Sequence, residues 1–281
     1  MLWQGRRQSS NVEDRRGIGA GGLAVGGGLI GVIAIIINLL MGGDPSQIPE
    51  MLPQQQSQPM TPEQQAADDE RAQFVKVVLA ETEDVWSNIF QKQGSSYQEP
   101  TLVLFRDIVQ SGCGNASAAS GPFYCPADQK LYIDLSFYEE LQSRFNAPGD
   151  FAMAYVVAHE VGHHIQYLLG TAEKVARERQ QLRETEYNKL SVKLELQADY
   201  YAGVWAHFAN RAKILEAGDI EEALNAANAI GDDRLQKQSQ GTIVPDAFTH
   251  GTSEQRMFWF KKGFDTGDLS QGNTFDDPSL N

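Results

Sequence analysis

The stretch Ala158-His159-Glu160-Val161-Gly162-His163-His164 constrains this chain more than any other. Two histidines four residues apart can share a metal if the segment is an α-helix, because they then project from one face, a turn apart. Glu160 lies about 100° round such a helix from His159, beside the metal position without ligating it. Two neutral imidazoles that hold Zn²⁺, and a carboxylate that takes a proton from water, are the parts of a zinc hydrolase site. The chain has five His in all, so chance rarely produces this pattern. The plainer alternative is a helix whose histidines only pack or face solvent. Asp150 is placed to cap the motif helix, Phe151, Ala154, Tyr155, Val157 and Ala158 give it a mostly buried first half, and Gly170 ends it.

Ahead of the motif the chain changes character several times. The first 22 residues are polar, basic and Gly-rich without apolar periodicity, and are expected to be disordered. Leu23 to Met41 carries no charge over 19 residues. At 1.5 Å per residue it would span about 28 Å, which predicts a transmembrane anchor. A cleaved signal peptide is the closer competitor, disfavoured because the run is long and no Ala-x-Ala site follows. Arg6, Arg7, Arg15 and Arg16 precede the run against Glu13 and Asp14, so residues 1–41 carry +2 of a net −14, and the remainder carries −16. Positive-inside then puts the N-terminus in the cytoplasm and the acidic body outside it. That acidity, with no Lys/Arg patch interleaved with aromatics, argues against nucleic acid as a partner.

A Pro- and Gln-rich linker is expected over 42–62, and a globular domain over 63–281. Thr61-Pro62-Glu63 reads as a helix start. The helix should run to about Gln91 and bury Phe74, Val77, Val78, Val85, Trp86 and Ile89. Strands are expected at Thr101–Phe105 and Lys130–Leu135, the second a candidate edge for an extended substrate, and a short helix from Ser136 to about Phe145. Between the strands, a Gly/Ser/Ala/Pro-rich loop holds Cys113 and Cys125, which read as a disulfide in a domain placed outside the cytoplasm. A metal-binding Cys pair is the competing reading, but the second pair of a structural zinc site is missing.

A catalytic zinc needs a third protein ligand and keeps the fourth position for water. The carboxylates after Gly170 are Glu173, Glu178, Glu184, Glu186, Glu195 and Asp199. In Glu195-Leu196-Gln197-Ala198-Asp199 a second acid follows one helical turn on, so Glu195 can bind zinc while Asp199 orients a ligating His, most simply His159. An unbroken antiparallel helix from Thr171 would carry Glu195 about 25 Å past His163. Either Glu178 is the ligand or the chain breaks and returns. The break is expected at Asn188–Ser191, with Ser191 capping a new helix.

His-Glu-x-x-His with a later Glu-x-x-x-Asp resembles the zincin metallopeptidases whose third ligand is Glu. The whole chain resembles the bacterial membrane-anchored family called "putative neutral zinc metallopeptidase". That likeness is carried by Trp3-Gln4-Gly5-Arg6-Arg7, by Asn11 to Arg16, by Gly121-Pro122-Phe123-Tyr124-Cys125-Pro126, by the motif, by Glu195 to Asp199 and by His250 to Arg256. It implies an α+β fold, mostly helical and zincin-like with a small β-sheet behind one transmembrane helix. It also implies one Zn²⁺ per chain on His159, His163 and Glu195, and a protein or peptide substrate. His250 and Arg256 are similar to the His-x₅-Arg near the end of heat-shock-type membrane metallopeptidases, which implies that His250 stabilises a tetrahedral intermediate. Gly251 stands where those enzymes carry Pro. His250 capping the last helix is the plainer reading.

The expected activity is endopeptidase hydrolysis with Glu160 as general base, on a single-pass protein of the bacterial inner membrane whose catalytic domain is periplasmic. A membrane-tethered zinc protein with an interaction or assembly role and no proteolysis is the alternative. His164 and His207 are expected to pack or lie at the surface.

Overall fold

The computed structural model describes residues 1–17 and 60–280. Over residues 60–280 the scaffold is a long helix, a small sheet and a helical bundle, in that order. Helix α1 (Pro62–Lys92) begins as expected: Thr61 accepts from the Gln64 N–H while the Gln64 side chain accepts from Thr61, a capping box that satisfies two free N-terminal groups. It buries Phe74, Val77, Val78 and Trp86, with Val85 and Ile89 half-buried. Strands β2 (Thr101–Phe105) and β6 (Lys130–Asp134) pair in parallel, and β5 (Phe123–Cys125) runs antiparallel to β6. Leu102, Leu104, Leu131 and Ile133 face the main core, while Val103, Phe105 and Tyr132 face a smaller cluster with Val109 and Cys125. The alternation of the strands therefore buries both faces.

Strand β6 lies inside the four-stranded sheet, so the substrate edge expected there is displaced: β5 is the outer strand. A hairpin of β3 (Ile108–Ser111) and β4 (Gly114–Ser117) stands beside the sheet. The disulfide Cys113–Cys125 forms, and it ties the tip of this hairpin to the end of β5.

Residues 1–17 are ordered against the domain rather than disordered. β1 (Val12–Asp14) adds to the sheet in parallel beside β2. Met1 is buried, and its amino nitrogen lies 3.1 Å from Asp150, 3.0 Å from Glu216 and 3.2 Å from Asp219. Arg6 pairs with Glu81 and Arg7 with Glu83, at 2.7 and 2.9 Å, and Arg16 bonds to Asp68, all acids of α1. Composition hid this, because the segment is held by hydrogen bonds and ion pairs rather than by an apolar stripe.

These contacts overturn the membrane reading. The apolar run 23–41 lies outside the described residues, as does most of the linker. Among the described residues no helix is long and apolar enough to cross a membrane. A single crossing between residues 17 and 60 would place β1 and β2 on opposite sides of a bilayer, yet they share a hydrogen-bonded ladder. Of the four arginines counted on the cytoplasmic side, Arg6, Arg7 and Arg16 are counter-ions of α1, and Arg15 pairs with Glu13. The single-pass topology and the inner-membrane location with a periplasmic domain fall together.

Beyond the sheet come α2 (Phe137–Ser143), the motif helix α3 (Asp150–Leu168), α4 (Thr171–Glu178), α5 (Glu184–Arg211), α6 (Asp219–Ala229), α7 (Asp232–Gln240) and α8 (Ser253–Thr266). Asp150 makes no side-chain cap to α3; its carboxylate turns to Met1 instead. Gly170 takes φ 73°, the left-handed turn expected after a helix C-terminus. The break before Glu195 falls at residues 179–183, ahead of the expected place, because the Glu186 carboxylate accepts the Arg183 N–H and restarts the helix there. Ser191 lies inside α5.

Closing the short loop between the two cysteines contributes about 3 kcal/mol in the chain-entropy model. Urea unfolding with a phosphine reductant should give a lower midpoint than without it, by that free energy divided by the m-value. An unchanged midpoint would count against the cross-link.

Candidate active site

Helices α3 and α5 cross in backbone contact at the motif. A Cβ placed on Gly162 would lie 2.9 Å from the Ala198 carbonyl oxygen and 3.0 Å from its Cα. Only glycine allows this approach, and it sets the Glu195 and Asp199 side chains beside His159 and His163. A second close crossing holds α8 on α5, where Gly203 meets the Phe260 carbonyl and Gly263 the Tyr200 carbonyl.

His159 Nε2 lies 3.2 Å from Glu195 Oε2, and His163 Nε2 lies 3.5 Å from Glu195 Oε1. A tetrahedral ion with bonds of 2.0–2.1 Å separates its donor atoms by roughly 3.4 Å, so this donor set fits zinc. The other ring nitrogens are engaged, which turns both Nε2 atoms inward. His159 Nδ1 donates to Asp199 Oδ1 at 2.8 Å, and His163 Nδ1 donates to Gln166 Oε1 at 2.9 Å. Glu178, the other ligand considered, is exposed and away from this group.

Asp199 is fully buried, and its charge is balanced from two sides. Arg256 clamps it with Nε 2.8 Å from Oδ2 and Nη2 3.0 Å from Oδ1. Tyr155, also fully buried, donates its hydroxyl to Asp199 Oδ1 at 2.5 Å and accepts from Arg256 Nη2 at 3.1 Å. Burial alone would raise the Asp199 pKa; Arg256 and His159 outweigh it and bring it to about 2. Burial likewise opposes a charge on His159, but Asp199 and Glu195 push its pKa up to about 10. Burial also opposes ionising Glu195, and the two imidazoles hold it well below the usual carboxylate range. The three side chains thus attract positive charge, and protons would compete with a metal for them.

Glu160 sits at the same face, 7% exposed. It makes no hydrogen bond among the described residues, and burial raises its pKa despite both imidazoles. These groups line a cleft of about 570 Å³ walled by residues 119–124 ahead of and within β5, by Phe137 and Phe145, and by Ile230 and Leu235. His250 lines the same cleft, half exposed, on the loop before α8. Gly251 has φ +91°, a conformation closed to proline, which accounts for the departure from Pro at this position.

His164 faces away from the ligands. Its Nε2 donates to the Gln98 carbonyl at 2.6 Å, and its Nδ1 accepts from the Tyr124 hydroxyl at 3.0 Å, so it pins β5 to the motif helix. His207 bonds the Phe264 carbonyl at 2.8 Å and joins α5 to α8. Sequence reasoning missed Tyr155 and Gln166. Gln166 was findable, being three residues beyond His163 on the same face; Tyr155 reads as one more core aromatic.

Gly162→Ala should favour an isolated helix by about 1 kcal/mol. In this protein the backbone of α5 must give way, so the melting temperature should fall and zinc affinity drop by at least about 10-fold. Calorimetry and competitive zinc titration measure both; a more stable variant with unchanged affinity would refute the contact. Asp199→Asn leaves the Arg256 charge buried without its partner, which costs about 3–5 kcal/mol. It should also weaken zinc by roughly 10–100-fold. Because the folded Asp199 pKa is depressed, its contribution is present above the unfolded value near 3.9 and is lost as pH falls toward 2. The wild type should lose that margin over this range in acid unfolding, and the variant should not.

The family described as "Putative neutral zinc metallopeptidase" matches residues 1–275. The "Uncharacterized protein YpfJ" of Escherichia coli (strain K12) is 52% identical over 98% of this chain and 99% of its own length. The "Uncharacterized protein Rv2575" of Mycobacterium tuberculosis (strain ATCC 25618 / H37Rv) is 40% identical over 72% of this chain and 71% of its own. No solved structure matches the chain. With a match that runs from the N-terminal strap through the motif helix to the residues after α8, this chain belongs to the neutral zinc metallopeptidase family so described.

Proposed function

We propose that the protein is a zinc-dependent endopeptidase that binds one Zn²⁺ through His159, His163 and Glu195. The observation that carries this reading is the convergence of the three donors within 4.8 Å of one another, with the buried Glu160 beside them in an open cleft. Zinc, when bound, supplies Lewis-acid polarisation of a scissile carbonyl and lowers the pKa of a coordinated water toward about 7.

The chain's own groups do the rest. Glu160 takes the proton from the attacking water and passes it to the leaving amine; its raised pKa suits both halves of that task. Asp199 and Gln166 hold the two imidazoles with Nε2 facing the ligand position. Arg256 and Tyr155 fix Asp199 in turn. His250 donates a hydrogen bond to the oxyanion as it develops. The outer edge of β5 pairs with an extended substrate, and His164 sets its distance from α3. The aromatic and aliphatic walls favour peptides with apolar side chains over charged ones. An open cleft beside three ligands supports hydrolysis over a closed structural site, which usually has four ligands and is rich in Cys.

Glu160→Gln should keep its zinc while turnover of casein or a peptide library falls by roughly 10²–10⁴-fold. Metal analysis and an assay with and without a chelator measure this. Full activity in the variant, or activity that survives zinc removal, would defeat the mechanism.

A further inference from the structure

The loop from Thr249 to Gly251 carries His250 without regular structure of its own, yet four hydrogen bonds to one side chain hold it. Asp232, the first residue of α7, is only 8% exposed. Its Oδ2 accepts from the backbone N–H of Thr249 at 2.7 Å, of His250 at 2.6 Å and of Gly251 at 3.1 Å. Its Oδ1 lies 3.2 Å from His250 Nδ1, and Thr249 Oγ1 lies 3.0 Å from the same nitrogen. In return the Asp232 N–H donates to the Gly251 carbonyl at 2.9 Å. The next residue, Asp233, takes the N–H and the hydroxyl of Ser253 at 2.8 and 2.9 Å and so fixes the start of α8.

A carboxylate that only capped α7 would turn back to that helix's own N–H groups. Asp232 turns instead to a loop eighteen residues away and leaves His250 Nε2 without a partner among the described residues, on the wall of the cleft. We propose that Asp232 is a positioning residue for the proposed peptidase reaction: it gathers the 249–251 backbone and the Nδ1–H of His250 so that Nε2–H is presented to the cleft. This rests on the reading of His250 as an oxyanion donor. The groups that face His250 act on its charge in opposite directions. Asp232 on α7 and Glu195 on α5 favour the charged form, and Arg256 on α8 and burial oppose it, with a net upward shift.

Asp232→Asn, His250→Ala and the double variant, each zinc-loaded, test the assignment, because Asn keeps an oxygen for the backbone N–H groups and loses the charge. Asp232→Asn should lower kcat by roughly 10- to 100-fold at neutral pH, with KM and zinc content little changed. In the His250→Ala background the same substitution should cost almost nothing further. Losses that multiply, or loss of zinc from Asp232→Asn, would overturn the proposal. A second readout needs no turnover: ring ¹⁵N shifts of His250 should report a protonated, carboxylate-bonded Nδ1 in the wild type and its loss in Asp232→Asn. Identical shifts would overturn the assignment. Should the zinc-loaded wild type hydrolyse no peptide, the peptidase reading fails alone, and the shifts still decide whether Asp232 holds His250.

Discussion

The approach of two helix backbones at Gly162 is the constraint on which the rest of this structure depends. A helix pair with a Cβ at that crossing stands further apart, and a separation of that kind is comparable with the tolerance of a metal site. Because Gly162 meets Ala198 directly, the turn of α5 that carries Glu195 and Asp199 lies over the turn of α3 that carries His159 and His163. The glycines at 203 and 263 repeat the device between α5 and α8 and bring Arg256 down onto Asp199. Three helices distant in sequence thereby place one charge network at one depth.

That network is expensive to build and is arranged so that no charge in it stands alone. Arg256, Asp199 and His159 are all buried, and burial works against each. A bidentate guanidinium–carboxylate pair opposes the desolvation. Tyr155 takes up a remaining acceptor site on Asp199 without adding charge. The outcome is a carboxylate that stays ionised and an imidazole held in one orientation, as a metal ligand requires. Asp232 gathers the backbone donors of a loop without regular structure, on which the half-exposed His250 sits.

Features with a local period were legible in the sequence. The motif helix, α1 with its cap, β2 and β6 stand close to where periodicity and capping residues put them. The cysteine pair was legible from its loop. Glu195 and Asp199 were legible as neighbours because they are four residues apart on one helix. Features that exist only through distant partners were not. Residues 1–17 have no apolar stripe, and their order comes from Glu81, Glu83, Asp68 and the edge of β2. The apolar run after them satisfied every length and charge criterion for an anchor, because hydropathy weighs a segment without asking whether its two flanks meet in one sheet. Asp232 stands in no motif of the sequence, and Tyr155 reads as a core aromatic; only the fold shows that one reaches His250 and the other Asp199.

The central claim is that His159, His163 and Glu195 together form a single zinc site. X-ray absorption at the zinc edge, on protein loaded with one equivalent, tests it most directly. Two imidazole nitrogens and a carboxylate oxygen at 2.0–2.2 Å should surround the metal, with no sulfur in the first shell. In Glu195→Ala the protein oxygen should be lost while both imidazoles remain. A zinc environment that keeps its carboxylate in that variant, or that contains sulfur, would contradict the account.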